Sequence, residues 1–479
     1  MFPCAVKCHC GSPLVSCLLL LVSYVILFGL LFAFKRGKCC ESMISRVSYV
    51  ATIIILITCT CFYSCTPSHR SLFATRTPHE RYEDQLTNAG LKQTALGMQW
   101  FTAADKGIRT PLSINLPYKE TGYFAAEHPD AAGYVFTCTR GEKLVVTLSE
   151  KPAGSCRLFI DLWQYNSNKT IKYLKSADTA GTTISHEIEQ DGSYLLRVQP
   201  ELLCSTEYTL TLTTAPSLAF PVPASEKPNI GSVWGDNRDA GARRHEGIDI
   251  FAKFRTPVIA AADGYVTRVN ENKLGGKAVF MRPAGKDYVL YYAHLDSQVA
   301  REGQLVKIGD TLGLMGNTGN ARTTSTHLHF GIYTDGGAIN PLPFIETTTQ
   351  MPYNITAPLA AINNYGHTTR ATDMYAGTSR SAMKTNMPAF SLLHIIGAAA
   401  NWYKVITADS TEGFISSDNV ATNPYRKIAL PHDNKLYDQP NTGAAAKLTV
   451  VFDTVANVLG TYNHFYFVRY NEVVGWVMQ

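Results

Sequence analysis

The sequence predicts a mainly β protein built from several small domains. Short segments of alternating apolar and polar residues, separated by turn residues, recur from about residue 117 to residue 214, and glycine-punctuated short strands dominate residues 229–346. A chain of 479 residues is too long for one core, and 46% hydrophobic with 17% charged residues suits folded domains. In chain order we expect a membrane segment, a short helix, a β-sandwich, a β-rich domain and two small β-barrels.

The charge of the chain argues against nucleic-acid binding. The net charge is +5, and the 43 Lys and Arg residues form no dense block. Such blocks are the electrostatic feature of nucleic-acid-binding chains. We therefore expect no nucleic-acid partner, and the composition leaves the oligomeric state open.

Residues 1–66 are interpreted as a membrane or signal segment, with two alternatives. Residues 14–34 carry no charge over 21 positions, which at about 1.5 Å per residue is long enough to cross a bilayer. Residues 47–64 form a second apolar stretch. In the first alternative both stretches span the membrane, and the basic loop between them stays in the cytoplasm.

The second alternative is a bacterial lipoprotein signal. Translation would begin at Met43, residues 47–64 would form the apolar region of the signal, and Cys65 would carry the lipid. The small Ser64 before Cys65 resembles such a signal. Either alternative anchors the chain in a membrane and places everything after residue 66 in the periplasm or at the cell exterior.

Residues 67–214 are expected to form a tether with a helix, at 67–116, followed by a β-sandwich accessory domain at 117–214. Apolar residues near helical spacing support the helix, and strand-like segments with turn signals between them support the sandwich. Of the twelve cysteines, Cys138, Cys156 and Cys204 lie in the sandwich. Cys156 and Cys204 could bridge in an oxidising compartment, but three cysteines do not fix the pairing.

The tail is expected to hold two small domains, at residues 358–422 and 423–479. An aromatic strand, Trp402-Tyr403-Lys404-Val405, precedes Gly413-Phe414-Ile415, and Phe465-Tyr466-Phe467-Val468 precedes Gly475-Trp476-Val477 in the same way. This repeat resembles the bacterial SH3-like fold twice in tandem. Repeated aromatic residues usually pack a core, although a ligand groove is the alternative.

The residues that carry chemistry lie in the domain at 229–346. His245 and Asp249 are four positions apart, and His327 and His329 are two apart, so on strands each pair would share a face. His294 stands alone in Tyr-Ala-His-Leu. Three nitrogen or carboxylate ligands with one open position are the pattern of a catalytic zinc site. No cysteine follows Cys204, so such a site would use histidine and carboxylate ligands.

These motifs resemble those of the lysostaphin-type zinc endopeptidases, which cut peptide cross-links of bacterial peptidoglycan. The resemblance extends over residues 231–346 and includes His-x-x-x-Asp, Tyr-Ala-His-Leu and His-x-His. It implies that His245, Asp249 and His329 bind Zn²⁺ and that His294 and His327 are catalytic. Two departures are Gly331, where the family commonly has an acidic residue, and the longer segment 321–326.

The resemblance therefore implies a peptidoglycan hydrolase, and the N-terminal segment would anchor it in a membrane. Zinc would activate a water that attacks the scissile amide, and either His294 or His327 would take the proton while the other donates to the oxyanion. The groove would hold an extended peptide by main-chain pairing. The alternative is a non-catalytic wall-binding or regulatory protein that has kept its zinc pocket, and the zinc constellation disfavours a third class, a solute-binding lipoprotein.

Overall fold

The computed structural model describes residues 76–154, 156–168, 170–177, 183–238, 241–346, 348–378 and 384–479. The predicted membrane segment at 1–66 and the lipidation at Cys65 lie outside these ranges. None of the helices within them combines the length and the apolar character that crossing a bilayer requires. The described residues are mainly β, as the sequence predicts.

Among the described residues, two α-helices precede the strands, α1 (Pro78–Asn88) and α2 (Ala95–Arg109). Thr77 begins α1 with a capping box: its hydroxyl accepts from the Glu80 amide, and the Glu80 carboxylate accepts from the Thr77 amide. Gly90, at φ 73°, lies between the helices. Because this left-handed conformation suits glycine, the predicted helical region is divided there. Trp100 of α2 is fully buried and its indole N–H donates to the Pro200 carbonyl at 2.8 Å.

The accessory region follows the helices. Its strands are β1 (Leu112–Ser113), β2 (Tyr118–Phe124), β3 (Ala132–Cys138), β4 (Glu142–Lys151), β5 (Leu158–Tyr165), β6 (Ile171–Ser176), β7 (Thr183–Glu187), β8 (Gly192–Pro200) and β9 (Thr206–Pro216). One sheet has the order β1-β3-β8-β5-β6, while β2, β9, β4 and β7 lie side by side in another. The apolar residues of both sheets share a core. Cys156 and Cys204 form a disulfide, and Cys138 is a buried free thiol.

The next region carries the predicted site. Its strands are β10 (Asn229–Ser232), β11 (Asn237–Arg238), β12 (Arg243–Arg244), β13 (Ile248–Phe251), β14 (Pro257–Ile259), β15 (Gly264–Asn272), β16 (Gly276–Pro283), β17 (Val289–Gln298), β18 (Leu305–Val306), β19 (Thr311–Met315), β20 (His327–Thr334) and β21 (Gly337–Ile339), followed by the short helix α3 (Leu342–Ile345). The main sheet runs β10-β13-β20-β17-β16-β15-β18. This order places β13, β20 and β17 side by side.

The tail strands complete the fold. They are β22 (Asn364–Thr368), β23 (Thr372–Tyr375), β24 (Lys384–Met387), β25 (Leu392–Ala399), β26 (Trp402–Thr407), β27 (Glu412–Ser416), β28 (Val420–Ala421), β29 (Arg426–Leu430), β30 (Lys435–Tyr437), β31 (Ala446–Thr449), β32 (Thr454–Tyr462), β33 (Phe465–Tyr470) and β34 (Val473–Met478). Strands β29 to β34 form a sheet of their own, in the order β29-β32-β33-β34-β30-β31. Strand β25 pairs with β2, so the segments expected at 117–214 and 358–422 contribute to one sheet.

The proline-rich segment at 215–228 is packed against the site-bearing domain, although its composition suggests a linker. Leu218 and Val222 are 6% and 1% exposed and belong to the core of that domain. The Ala219 amide donates to Ala261, and the Ile259 amide donates to Pro221. Since these backbone bonds and apolar contacts fix the segment, the accessory sheets and the site-bearing domain are joined by an ordered connection.

Candidate metal centre

Strand pairing brings the predicted site residues together. Asp249 on β13 lies directly opposite His329 on β20, and Ala293 on β17 lies opposite His329 on the other side. His327, two positions before His329, shares its face of the sheet. His294 follows Ala293 and completes the group. His245, Asp249, His294 and His327 are each less than 8% exposed.

His245 reaches the site in a different way from the one its spacing suggests. The sequence places His245 and Asp249 on one strand, but β13 begins at Ile248. His245 instead follows the hairpin of β11 and β12, and a bend at Glu246 and Gly247 separates it from β13. A Cβ on Gly247 would lie 2.7 Å from His329 Cε1, so this bend requires a residue without a side chain.

Three side chains present their ligand atoms to one point. His245 Nε2 is 3.0 Å from His329 Nδ1 and 3.0 Å from Asp249 Oδ1, and the last two atoms are 3.1 Å apart. Each imidazole nitrogen carries at most one proton, so two nitrogens can supply at most two hydrogen bonds for these three contacts. A bound cation would satisfy all three atoms at once. Among the described residues, His245, Asp249 and His329 form the group suited to a metal ion.

The size of this triangle fits zinc. Tetrahedral Zn²⁺ binds histidine nitrogen and carboxylate oxygen at about 2.0–2.2 Å, so its ligand atoms lie about 3.4 Å apart. Edges of 3.0–3.1 Å are within a few tenths of an ångström of that separation. The donor set, two imidazoles and one carboxylate, leaves a fourth position open, as in catalytic zinc sites.

The protonation of the ligands agrees with this fit. Burial alone would raise the pKa of Asp249, but the adjacent side chains of His245 and His329 lower this pKa well below its usual value. Burial also lowers the pKa of His329, against the opposing effect of Asp249. The His245 Nδ1–H can donate to the Val233 carbonyl at 3.0 Å. In that tautomer the lone pair of Nε2 is free to bind a metal ion. Asp249 is thus ionised, and the His329 imidazole is available as a neutral ligand.

His294 and His327 lie beside the triangle. The Nδ1–H of His294 donates to the Thr318 carbonyl at 2.9 Å, and that of His327 donates to the Ser325 carbonyl at 2.8 Å. Because a carbonyl can only accept, these bonds leave Nε2 of each ring unprotonated when the ring is neutral. The two rings are 5.0 Å apart in an edge-on arrangement. His327 Nε2 lies 3.9 Å from Asp249 Oδ1.

Burial, together with the neighbouring His327 and His329, lowers the pKa of His294 to about 4. This side chain is therefore neutral at physiological pH. Its backbone has φ 63°, an uncommon conformation for a non-glycine residue. The His294 amide donates to the Gly275 carbonyl at 2.8 Å. Residues held in such conformations by their surroundings concentrate at functional sites.

The two departures from the resembled family have local consequences. At Gly331 a Cβ would lie 2.9 Å from Tyr333 Cε2, so an acidic side chain there would require the tyrosine to move. The segment 321–326 supplies the Ser325 carbonyl that orients His327. The sequence did not single out Thr318, which lies in Gly316-Asn317-Thr318-Gly319, as a contact of His294. Arg238 and Ser232, which contact His245, had no sequence signal.

Comparison with known proteins defines the class of this domain. Residues 243–341 match the sequence model of Peptidase family M23. The domain that carries the site is therefore an M23 peptidase domain. The matched residues include the three members of the triangle as well as His294 and His327.

Individual relatives are similar over the same region. Over 147 residues the chain is 34% identical to an L-Ala–D-Glu endopeptidase of Bacillus subtilis, covering 28% of this chain and 45% of that protein. Over 129 residues it is 35% identical to the murein hydrolase activator NlpD of Salmonella typhimurium, covering 27% and 33%. The solved catalytic domain of lysostaphin from Staphylococcus simulans is 26% identical, with a TM-score of 0.24, covering 26% of this chain and 99% of that domain. The chain spans less than half the length of these two curated relatives.

Proposed function

We propose that this protein is a zinc-dependent endopeptidase that hydrolyses peptide cross-links of bacterial peptidoglycan. The observation that carries the proposal is the triangle of His245 Nε2, Asp249 Oδ1 and His329 Nδ1, with edges of 3.0–3.1 Å. These three residues hold the zinc ion. When bound there, zinc polarises the scissile carbonyl and makes a water molecule more acidic.

The remaining histidines handle protons. His294 is neutral at physiological pH, because its pKa is about 4, and it accepts the proton of the attacking water at Nε2. His327, whose ring is oriented by its bond to the Ser325 carbonyl, donates from Nε2, in its protonated form, to the oxygen that becomes negative. General acid–base groups of this kind contribute about 10²–10⁴-fold to a rate.

The substrate and the compartment follow from the family and from the cysteines. One M23 relative is named an L-Ala–D-Glu endopeptidase, which supports a peptide bond of the cell wall as the target. The Cys156–Cys204 disulfide supports an oxidising compartment, outside the cytoplasm. The protein works in the periplasm or at the cell exterior, held to the membrane by its N-terminal segment or by a lipid on Cys65.

A regulatory function is the second candidate, because another relative is named a murein hydrolase activator. Mass analysis of soluble fragments separates the two. The full chain, purified in detergent, is incubated with purified peptidoglycan, with His329→Ala as the inactive variant and His432→Ala, an exposed histidine (side chain 60% exposed), as the matched control. We expect fragments with hydrolysed peptide bonds from wild type and from His432→Ala. Intact wall in both samples would contradict the endopeptidase and favour the regulator.

A further inference from the structure

Arg238 extends from the end of β11 to the metal-binding triangle. Its NH2 nitrogen lies 2.5 Å from Asp249 Oδ2, 2.7 Å from Ser232 Oγ and 3.0 Å from His245 Nδ1. The side chain is 33% exposed, while that of Asp249 is 8% exposed. A single guanidinium group is thus in contact with two of the three residues that hold the metal.

The two oxygens of Asp249 have separate partners. Oδ1 faces His245 Nε2 and His329 Nδ1 at 3.0 and 3.1 Å, whereas Oδ2 accepts from Arg238. The carboxylate torsion of aspartate is broad, so a carboxylate without a second partner could turn or offer both oxygens to a cation. The ion pair with Arg238 removes that freedom.

The arginine is itself fixed by the turn that precedes it. Ser232 Oγ accepts from Arg238 and donates to Asp236 Oδ2 at 2.8 Å. Asp236 Oδ2 also accepts from the Val233 amide at 2.9 Å, which closes the turn. The guanidinium therefore reaches Asp249 from a defined position.

We propose that Arg238 is a positioning residue that holds Asp249 as a ligand through one oxygen and thereby strengthens metal binding. The inference rests on the metal centre of the proposed function. Two physical effects oppose each other here. Orientation of a ligand by an outer hydrogen-bond partner contributes roughly 10–100-fold to metal affinity. A cation near a divalent ion repels it, but this repulsion is weakened by solvent because the Arg238 side chain is 33% exposed. Zinc affinity should fall when Arg238 is removed if orientation of Asp249 is the larger effect, and it should rise if charge repulsion is the larger effect.

The test is the zinc dissociation constant, measured by competition with a chelator on the full chain. Arg238→Met should bind zinc roughly 10–100-fold more weakly. Arg238→Lys, which restores one cationic nitrogen, should recover part of this loss. The matched control is Arg244→Met on the neighbouring strand β12, whose guanidinium contacts the Gly235 carbonyl at 3.3 Å; its zinc affinity should stay that of wild type.

A second readout is the visible absorption of the Co²⁺-loaded protein, which reports coordination geometry. The spectrum of Arg238→Met should differ from that of wild type, because Asp249 can turn. If metal-free Arg238→Met does not melt like wild type, Arg238→Gln replaces it with the same expected loss. Zinc affinity equal to or higher than that of wild type in the folded variant overturns the proposal. A wild-type protein that binds zinc but does not cleave peptidoglycan would instead remove the proposed function and leave this inference standing.

Discussion

Gly247 is the residue on which the geometry of the metal site depends most sharply. A Cβ there would lie 2.7 Å from His329 Cε1, 2.8 Å from His329 Nε2 and 2.7 Å from the Phe330 carbonyl oxygen. The carbonyl belongs to β20 and cannot move away without breaking the sheet, so an added methyl group must displace either the bend or His329. Position 247 therefore has room for the hydrogen atom of glycine but not for a methyl group.

We predict that Gly247→Ala lowers zinc affinity by at least about 10-fold, the low end of the effect of disturbed ligand orientation. Equilibrium dialysis against zinc measures the change. Gly336→Ala is the control, because the nearest atom to its Cβ, Thr334 Oγ1, is 3.6 Å away. Equal zinc affinity in Gly247→Ala and wild type would show that the bend does not position the ligands.

The assigned roles of two histidines predict different losses. His329 offers Nδ1 to the triangle, so His329→Ala should lose both metal and activity. His294 stands beside the triangle without belonging to it. His294→Ala should keep near-stoichiometric zinc and a normal melting curve, yet lose turnover by roughly 10²–10⁴-fold. Metal analysis of both purified variants tests which histidine is a zinc ligand. Zinc retained by His329→Ala and lost from His294→Ala would reverse the two assigned roles.

Sequence periodicity predicts which of these side chains converge, and the reason is physical. Alternation on β20 puts His327 and His329 on one face whatever the surroundings. The same argument is wrong for His245, because the bend at Gly247 separates His245 from β13, which begins at Ile248. His245 and Asp249 therefore do not lie on one strand. The contacts of Arg238 depend on the turn at 232–236, and a turn has no periodicity from which a contact can be predicted.

At the scale of elements, a buried ion pair joins β2 to β26. Lys404 Nζ lies 2.6 Å from Glu120 Oε1, and the two residues are 1% and 0% exposed. The hydroxyls of three buried tyrosines donate to the same carboxylate, namely those of Tyr118, Tyr134 and Tyr208. Burial alone would lower the pKa of Lys404, but Glu120, with Tyr208 and Glu412, holds this pKa above its usual value. Lys404 is therefore charged.

Removing one charge of this pair should destabilise the joint sheet. Lys404→Met leaves the Glu120 carboxylate buried without its cation, which costs about 3–5 kcal/mol. Thermal melting should show a lower transition temperature, while Lys435→Met, at an exposed position on β30, should leave the curve unchanged. Adding Glu120→Gln to Lys404→Met should recover part of the loss. No shift in Lys404→Met would mean that the network does not hold the two segments together.

Local strands follow from the sequence, but their long-range partners do not. The strand-like segments of the accessory region correspond to β3, β4, β5, β8 and β9 within a few residues. The pairing of β2 with β25 joins Thr121 to Ala398, residues that no local pattern connects. An aromatic residue of the tail repeat, Phe467, also packs against a distant segment: its ring is 4.8 Å from that of Tyr365 on β22. The SH3-like resemblance and the domain boundaries stay predictions.

At the scale of the whole molecule, the accessory region is in direct contact with the M23 domain. Lys286, in the loop between β16 and β17, forms an ion pair with Glu187 on β7. A Cβ on Gly141 would lie 2.3 Å from the Phe344 ring, so the two surfaces pack closely. The Leu218 amide donates to the Phe344 carbonyl at 2.8 Å. The M23 domain therefore packs directly on the accessory sheets and is not attached by a loose linker.

The mode of membrane attachment gives a prediction for the N-terminal segment, which lies outside the described residues. If Cys65 carries a lipid, the mature protein begins there and partitions with membranes. Cys65→Ser should block this processing, whereas Cys61→Ser should not. Mass spectrometry of the mature N-terminus measures both. Residues 1–42 in the mature wild-type protein would favour the two-span alternative instead.

The central claim, that the triangle holds the zinc of a peptidoglycan endopeptidase, is tested most directly by counting new amino groups. Purified peptidoglycan is incubated with the wild-type protein stripped of metal by a chelator, and then with the same protein after one equivalent of zinc is returned. Hydrolysis of each amide releases one amino group, so we predict no release without metal and full release with it. His329→Ala should release none in either state. Unchanged release by the stripped protein, or none after zinc is bound, would contradict the account.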